Sequence, residues 1–204
     1  MIDTIVFDFG GVLIDWNPAY VYKDLFNNDD ERMNWFLSNI CTSDWNLEQD
    51  RGRTLAEGTA LLQEKFPEHH EHIEAFYGQW PKMLGGEISE TVEILKKLKQ
   101  KYNLYGLTNW SAETFPVALE RFQFLQLFDG IVVSGDEKMI KPDKQLFQLL
   151  LDRYHLTAAN CIFIDDNQKN AEAAAELGFH AIHFTSADNL KEKLVSMNVL
   201  DAEQ

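Results

Sequence analysis

Thr4-Ile5-Val6-Phe7 is a short run suited to burial on both sides, and it stops abruptly at Asp8 and the pair Gly10-Gly11. Such a run closed by turn residues predicts a central parallel strand. The texture recurs in the C-terminal half. Leu104-Tyr105-Gly106-Leu107, Ile131-Val132-Val133, Cys161-Ile162-Phe163-Ile164 and His180 to Phe184 all read as strands. Between them lie helical patterns: Ile88, Val92, Leu95, Leu98 and Tyr102; Phe115 to Phe124; Phe147, Leu150, Leu151 and Tyr154; and Ala171 to Leu177, closed by Gly178. A last helix carries Leu190, Leu194 and Met197. Strands alternating with helices imply right-handed crossovers and helices on both faces of one sheet. The expected fold class is therefore α/β, a doubly wound parallel sheet.

From about residue 15 to 85 no strand pattern shows. This stretch holds Trp16, Trp35, Trp45 and Trp80 and helical runs such as Leu55 to Phe66, and Pro81 and Gly85-Gly86 mark its end. It reads as a helical cap (15–85) inserted after the first strand of a core formed by residues 1–14 and 86–204. No internal repeat or Gly/Ser linker interrupts the 204 residues.

Charge narrows the partners. With 18 Lys and Arg against 33 Asp and Glu, the formal net charge is −15. No basic face is available to replace phosphate counterions, so a nucleic-acid partner is not expected, and an anionic membrane surface would repel the chain. No apolar run approaches a membrane span, and Met1-Ile2-Asp3 lacks a signal peptide's cationic start. Two cysteines, Cys41 and Cys161, make no disulfide framework. A cytoplasmic setting is expected, with the oligomeric state left open.

In doubly wound sheets, ligands bind beyond the carboxyl ends of the strands. Asp8 follows the first strand, Thr108 and Asn109 the second, and Ser134-Gly135-Asp136, then Lys141-Pro142, the third. Asp165, Asp166 and Asn167 follow the fourth. One rim thus receives a carboxylate, a hydroxyl, an amine and a carboxylate pair, an inventory suited to phosphoryl chemistry. A carboxylate can act as covalent nucleophile. Mg²⁺ needs one or two carboxylates plus substrate phosphate, and lysine and hydroxyl donors offset phosphoryl charge.

The segments Phe7-Asp8-Phe9-Gly10-Gly11-Val12-Leu13, Leu107-Thr108-Asn109, Lys141-Pro142-Asp143 and Phe163 to Asn170 resemble the four motifs of the haloacid dehalogenase (HAD) superfamily, in order and each at a strand end. The resemblance spans Asp8 to Gly178 and implies a HAD-like Rossmannoid core, with the insertion where that family places its helical C1 cap. It implies Asp8 as the nucleophile that takes the phosphoryl group. Thr108, through its hydroxyl, and Asn109, through its backbone amide, would hold phosphate oxygens. Lys141 would neutralise Asp8 and the phosphoryl charge. Asp8, the Gly10 carbonyl and Asp166 would ligate Mg²⁺, with Asp165 orienting metal-bound water.

One position departs from the pattern. Phosphatases of this family usually carry a second Asp two residues after the nucleophile as general acid and base, and here that residue is Gly10. General acid–base help is worth about 10²–10⁴-fold. Asp15, at the entrance to the cap, is one expected substitute, and the cap residues Asp44, Glu48 and Asp50 are others. A subgroup of capped members shares this Asp-x-Gly pattern and is regarded as sugar-phosphate or similar phosphatases. The resemblance thus implies a Mg²⁺-dependent hydrolase of a small, possibly sugar-like, phosphate ester. The alternatives are a 2-haloacid dehalogenase, disfavoured by the retained Asp165-Asp166 pair, and a catalytically weak phosphate-binding scaffold.

Other features read more simply. Pro67-Glu68-His69-His70-Glu71-His72 lacks partners at zinc spacing and reads as a solvated helix start. Gly10-Gly11 lacks the third spaced glycine of a dinucleotide fingerprint. Cys161 reads as strand packing, and Trp16, Trp45 and Trp110 as core residues or a cover over substrate.

Overall fold

The computed structural model describes residues 1–201. Among the described residues, seven strands form: β1 (Thr4–Phe7), β2 (Ile14–Trp16), β3 (Leu84–Glu87), β4 (Asn103–Thr108), β5 (Gly130–Val133), β6 (Cys161–Asp165) and β7 (His180–His183). Five of them make a parallel sheet in the order β5-β4-β1-β6-β7. The central strand, β1, is buried at every residue, as expected of a strand covered on both faces. Val6 sits between Tyr105 and Phe163 in register.

Strand alternation divides the interior in two. Ile5, Phe7, Leu104, Ile162 and Ile164 enter one core, together with Val92, Leu95 and Leu98 of the Ser89–Lys99 helix. Val6, Leu107, Val132 and Phe163 enter the other, against Leu146, Phe147 and Leu150 of the Lys144–Tyr154 helix. Phe147, Phe163 and Phe179 meet edge to face there, with centroids 5.2 to 6.2 Å apart. Each such ring contributes about 1.5–3 kcal/mol by burial. A one-residue slip of β1 would exchange its two apolar sets between the cores, so register is strongly specified.

Between β2 and β3 runs a helical insertion of five α-helices: Ala19–Leu25, Asp30–Asn39, Ser43–Asp50, Leu55–Lys65 and His70–Gly78. Their starts are set locally, by Asp29 and Thr42 as N-caps and by a capping box of Thr54 with Glu57. Tyr22, Phe26, Phe36 and Phe76 form their shared aromatic centre. The Pro67–His69 segment is a short 3₁₀ turn leading into the next helix.

Two local expectations need correction. Asp15, Trp16, Leu84 and Gly85, inside the stretch read as strandless, belong to an antiparallel pair of strands, β2 with β3, that flanks the insertion where it leaves the core. It escaped the sequence reading because Ile14-Asp15-Trp16 is too short to alternate and β3 carries two glycines, poor strand formers. The helix at Phe115 ends at Arg121, and Phe122 to Phe124 pass into a 3₁₀ turn instead.

Candidate active site

The carboxyl ends of β1, β4 and β6 deliver Asp8, Thr108 and Asp165 to one edge of the sheet. Asp8 extends the β1–β6 ladder by one residue, its N–H donating to the Ile164 carbonyl at 2.9 Å. Its Oδ1 accepts from the Phe9 N–H at 2.8 Å, and Phe9 is anchored by a stack on Phe115. The loop after β5 brings Lys141, only 1% exposed, between two carboxylates. Its Nζ lies 2.9 Å from Asp8 Oδ1 and 2.6 Å from Asp165 Oδ2.

Asp165, fully buried, has both oxygens engaged by protein donors: the Asn167 N–H at 2.8 Å, Asn170 Nδ2 at 3.1 Å to each oxygen, and Lys141. Asp166 is the exposed member of the pair. Its backbone carbonyl is tied to His183 Nε2 at 3.0 Å, and its carboxylate lies against Gly11. Gly11 has φ +73° and a Cβ there would collide with Asp166, so the turn after the nucleophile needs glycine twice over.

One carboxyl oxygen each of Asp8, Asp165 and Asp166 falls within 4.8 Å of the others. Three carboxylates facing one ammonium leave a formal excess of two negative charges. Burial, only partly countered by Lys141 and reinforced by Asp165, pushes the Asp8 carboxyl up to about 7. Burial and then Asp165 raise Asp166 as well. Burial alone would pull the Lys141 ammonium down, yet Asp165 and Asp8 raise it, so the lysine stays charged. An all-oxygen donor set with surplus negative charge fits a hard divalent cation such as Mg²⁺. The Thr108 hydroxyl, on a residue 1% exposed, is buried without a hydrogen-bond partner. An orphan of that kind in a charged cleft is suited to a ligand oxygen.

The Asn109 side chain clasps the Lys141 backbone, a role the sequence reading did not foresee. The Asp15 carboxylate accepts from the Tyr20 hydroxyl and packs over Gly85 where β2 pairs with β3. Gly10 lines a cavity of about 100 Å³, together with Trp16, Trp80, Trp110, Tyr77 and Asp50. Trp45 instead packs on Phe76 and donates to the Gly58 carbonyl. Asn46 and Tyr77 gave no sequence signal, because side chains far apart in the chain meet in this cavity only after folding.

The profile of the haloacid dehalogenase-like hydrolases matches residues 2–178. The chain belongs to that family. It is a HAD-type hydrolase, and the motif resemblance holds for fold and family alike. The sesquiterpene phosphatase astK of Aspergillus oryzae is 30% identical over 184 residues, 89% of each chain. The phosphorylated carbohydrates phosphatase of Thermotoga maritima is 25% identical over 196 residues, covering 89% of this chain and 84% of its own. A HAD family enzyme of Bacteroides thetaiotaomicron, solved with magnesium and inorganic phosphate, shares the fold at TM-score 0.67 and 23% identity, over 91% of this chain and 95% of that one. Among the described residues of this HAD hydrolase, no helix is long and apolar enough to cross a membrane.

Proposed function

We propose that the protein is a Mg²⁺-dependent phosphomonoester hydrolase acting through an aspartyl-phosphate on Asp8. The observation that carries this reading is Lys141, buried between Asp8 and Asp165 with Asp166 beside them. Asp8, Asp166 and the Gly10 carbonyl would hold the cation. Bound there, the cation would offset the charge of the phosphoryl oxygens.

The chain's own groups carry the rest. Asp8 Oδ attacks phosphorus, while Lys141 keeps the carboxylate oriented and balances its charge. Asp165 fixes Lys141, and the Thr108 hydroxyl donates to a phosphoryl oxygen. Attack by water then frees Asp8. Residues 15–85 act as a cap over the core of residues 1–14 and 86–204, excluding bulk water during transfer.

The substrate class follows from the cavity beside Gly10. Trp16, Tyr77, Trp80 and Trp110 give it an aromatic wall, with Asn46, Ser111 and Thr114 as scattered polar groups. That lining favours a small monoester whose alcohol has an apolar portion, consistent with the sesquiterpene phosphatase relative, over the sugar-like phosphate expected from sequence. The test is a panel of prenyl, benzyl and hexose monophosphates with and without Mg²⁺. Prenyl or benzyl esters should lead in kcat/KM, and Asp8→Asn should abolish turnover while the protein still folds. Preference for hexose phosphates would restore the sugar reading. Turnover by Asp8→Asn would remove the aspartyl-phosphate, and halide release from 2-haloacids without Mg²⁺ would replace the reaction altogether.

A further inference from the structure

Position 10 has no side chain to move a proton, and nothing in its setting requires glycine. Gly10 is outside the positive-φ region, and a Cβ there would meet no atom within 4 Å. The open space above it belongs to the aromatic-walled cavity, to which the helical insertion contributes Asn46 and Asp50. We propose that Asp50 is the proton donor and acceptor of the phosphoryl transfer, placed in the cavity by the insertion to do what residue 10 cannot. This rests on the phosphatase reading above.

The placement is built from several directions. Asp50 ends the Ser43–Asp50 helix, which packs on the short Ser134–Glu137 helix that follows β5. The Ser134 hydroxyl donates to the Asp50 carbonyl, and Arg51 reaches Asp143 at 3.7 Å, so this end of the insertion is pinned to the core. Asn46, one turn earlier on the same helix face, donates through Nδ2 to Asp50 Oδ2 at 3.1 Å. The Tyr77 hydroxyl donates to Asn46 Oδ1 at 2.8 Å. Gln49 Nε2 donates to that hydroxyl at 2.8 Å, and Arg53 Nε to Gln49 Oε1 at 2.6 Å. A relay of four side chains thus orients one carboxyl.

The other candidates fall away on placement. Asp15 is engaged by Tyr20, while Asp44 and Glu48 are exposed and line no part of the cavity. Burial in the cavity wall pushes the Asp50 carboxyl up to about 7, against the Ser111 backbone N–H, with the nearby Asp8 charge adding to the rise. A group meant to give and then take a proton near neutrality benefits from such a value.

In the first half-reaction the Asp8 oxygen–phosphorus bond forms as the ester oxygen–phosphorus bond breaks. The electron pair stays on the leaving oxygen, which takes the Asp50 proton and departs as the alcohol. In the second, Asp50 carboxylate takes a proton from water as the water oxygen bonds to phosphorus. The bond to Asp8 breaks, returning its carboxylate and releasing inorganic phosphate.

The test compares 4-nitrophenyl phosphate, whose leaving group needs no proton, with benzyl phosphate, whose leaving group does, in the Mg²⁺-loaded full-length protein. Asp50→Asn should lower kcat on benzyl phosphate by about 10²-fold or more. On 4-nitrophenyl phosphate it should give a burst of one equivalent of nitrophenolate followed by slow turnover, because hydrolysis of the aspartyl-phosphate has lost its base. Gly10→Asp added to Asp50→Asn should restore benzyl phosphate turnover at least 10-fold. An equal loss on both esters with no burst, an unchanged rate, or a double variant no better than Asp50→Asn overturns the assignment. If Asp50→Asn does not fold, Asn46→Leu leaves the carboxyl in place without its partner, and the same selectivity for benzyl phosphate is required. A natural protein inactive on every phosphate ester would sink the phosphatase reading itself, whereas an active one indifferent to Asp50→Asn sinks only this inference.

Discussion

Asn109 grips Lys141 by its main chain rather than its charge: Asn109 Nδ2 donates to the Lys141 carbonyl at 3.0 Å, and the Lys141 N–H donates to Asn109 Oδ1 at 2.8 Å. The pair ties the end of β4 to the loop after β5. It fixes the root of a side chain whose tip must reach both Asp8 and Asp165.

Asn109→Ala should therefore lower kcat by about 10²-fold through misplacement of Lys141, since displacement of a catalytic group by about 1 Å has that cost. The natural enzyme and the variant are compared for kcat and KM on the same ester. A change confined to KM would mean that Asn109 serves substrate binding only.

Thr108→Val replaces the orphaned hydroxyl with a methyl group of similar shape. The unpartnered oxygen costs about 1–3 kcal/mol when ligand-free, so the variant's unfolding free energy from urea denaturation should exceed the natural protein's by about that amount. Its affinity for inorganic phosphate, read by calorimetry, should fall. Lower stability would show that the hydroxyl already has a partner.

Asp165→Asn and Asp166→Asn should separate structure from metal. Asp165→Asn breaks the 2.6 Å pair with Lys141 and disturbs the acceptor shared by the Asn167 N–H and Asn170 Nδ2, and losing one partner of a buried pair costs about 3–5 kcal/mol. Asp166→Asn should leave stability nearly unchanged, or raise it by relieving carboxylate crowding, but should increase the Mg²⁺ concentration needed for half-maximal rate far more. The reverse order in a Mg²⁺ titration would exchange their roles.

Asp50→Asn should change the pH dependence of stability with a definite sign. The folded value near 7 is above the ordinary 3.8, so the native state holds this proton more tightly than the unfolded chain does. That contribution is fully present below about pH 4 and is lost as pH rises through 7. Asparagine cannot lose it. Denaturant unfolding without divalent cations should thus show the variant matching the natural protein near pH 4 and exceeding it at pH 8. Three pKa units correspond to about 4 kcal/mol, and solvent reaching Asp50 through the cavity reduces this to about 1–2 kcal/mol. A natural protein that gains relative stability on raising the pH would refute the shift.

Local pattern alone was enough to reveal the parallel strands and the residues at their carboxyl ends. β1, β4, β5 and β6 are short apolar runs with backbones that must pair, and whatever polar residue ends such a strand lands on the same edge, so Asp8, Thr108 and Asp165 were legible from local pattern alone. The helical spacing of Ile88, Val92, Leu95 and Leu98 specified a covering helix in the same way. Only the tertiary structure decided the cavity. Asn46, Asp50, Tyr77, Trp80 and Trp110 carry no shared spacing, and they converge because the insertion packs across the Ser134–Glu137 turn. The direction of a side chain followed that packing too. Asp15 and Asp50 are equal as letters, yet β2 sets one against Tyr20 and a helix end sets the other in the cavity that Gly10 lines. Burial and charge, which separate an acid near neutrality from an ordinary carboxylate, depend on distances through space that no local pattern encodes.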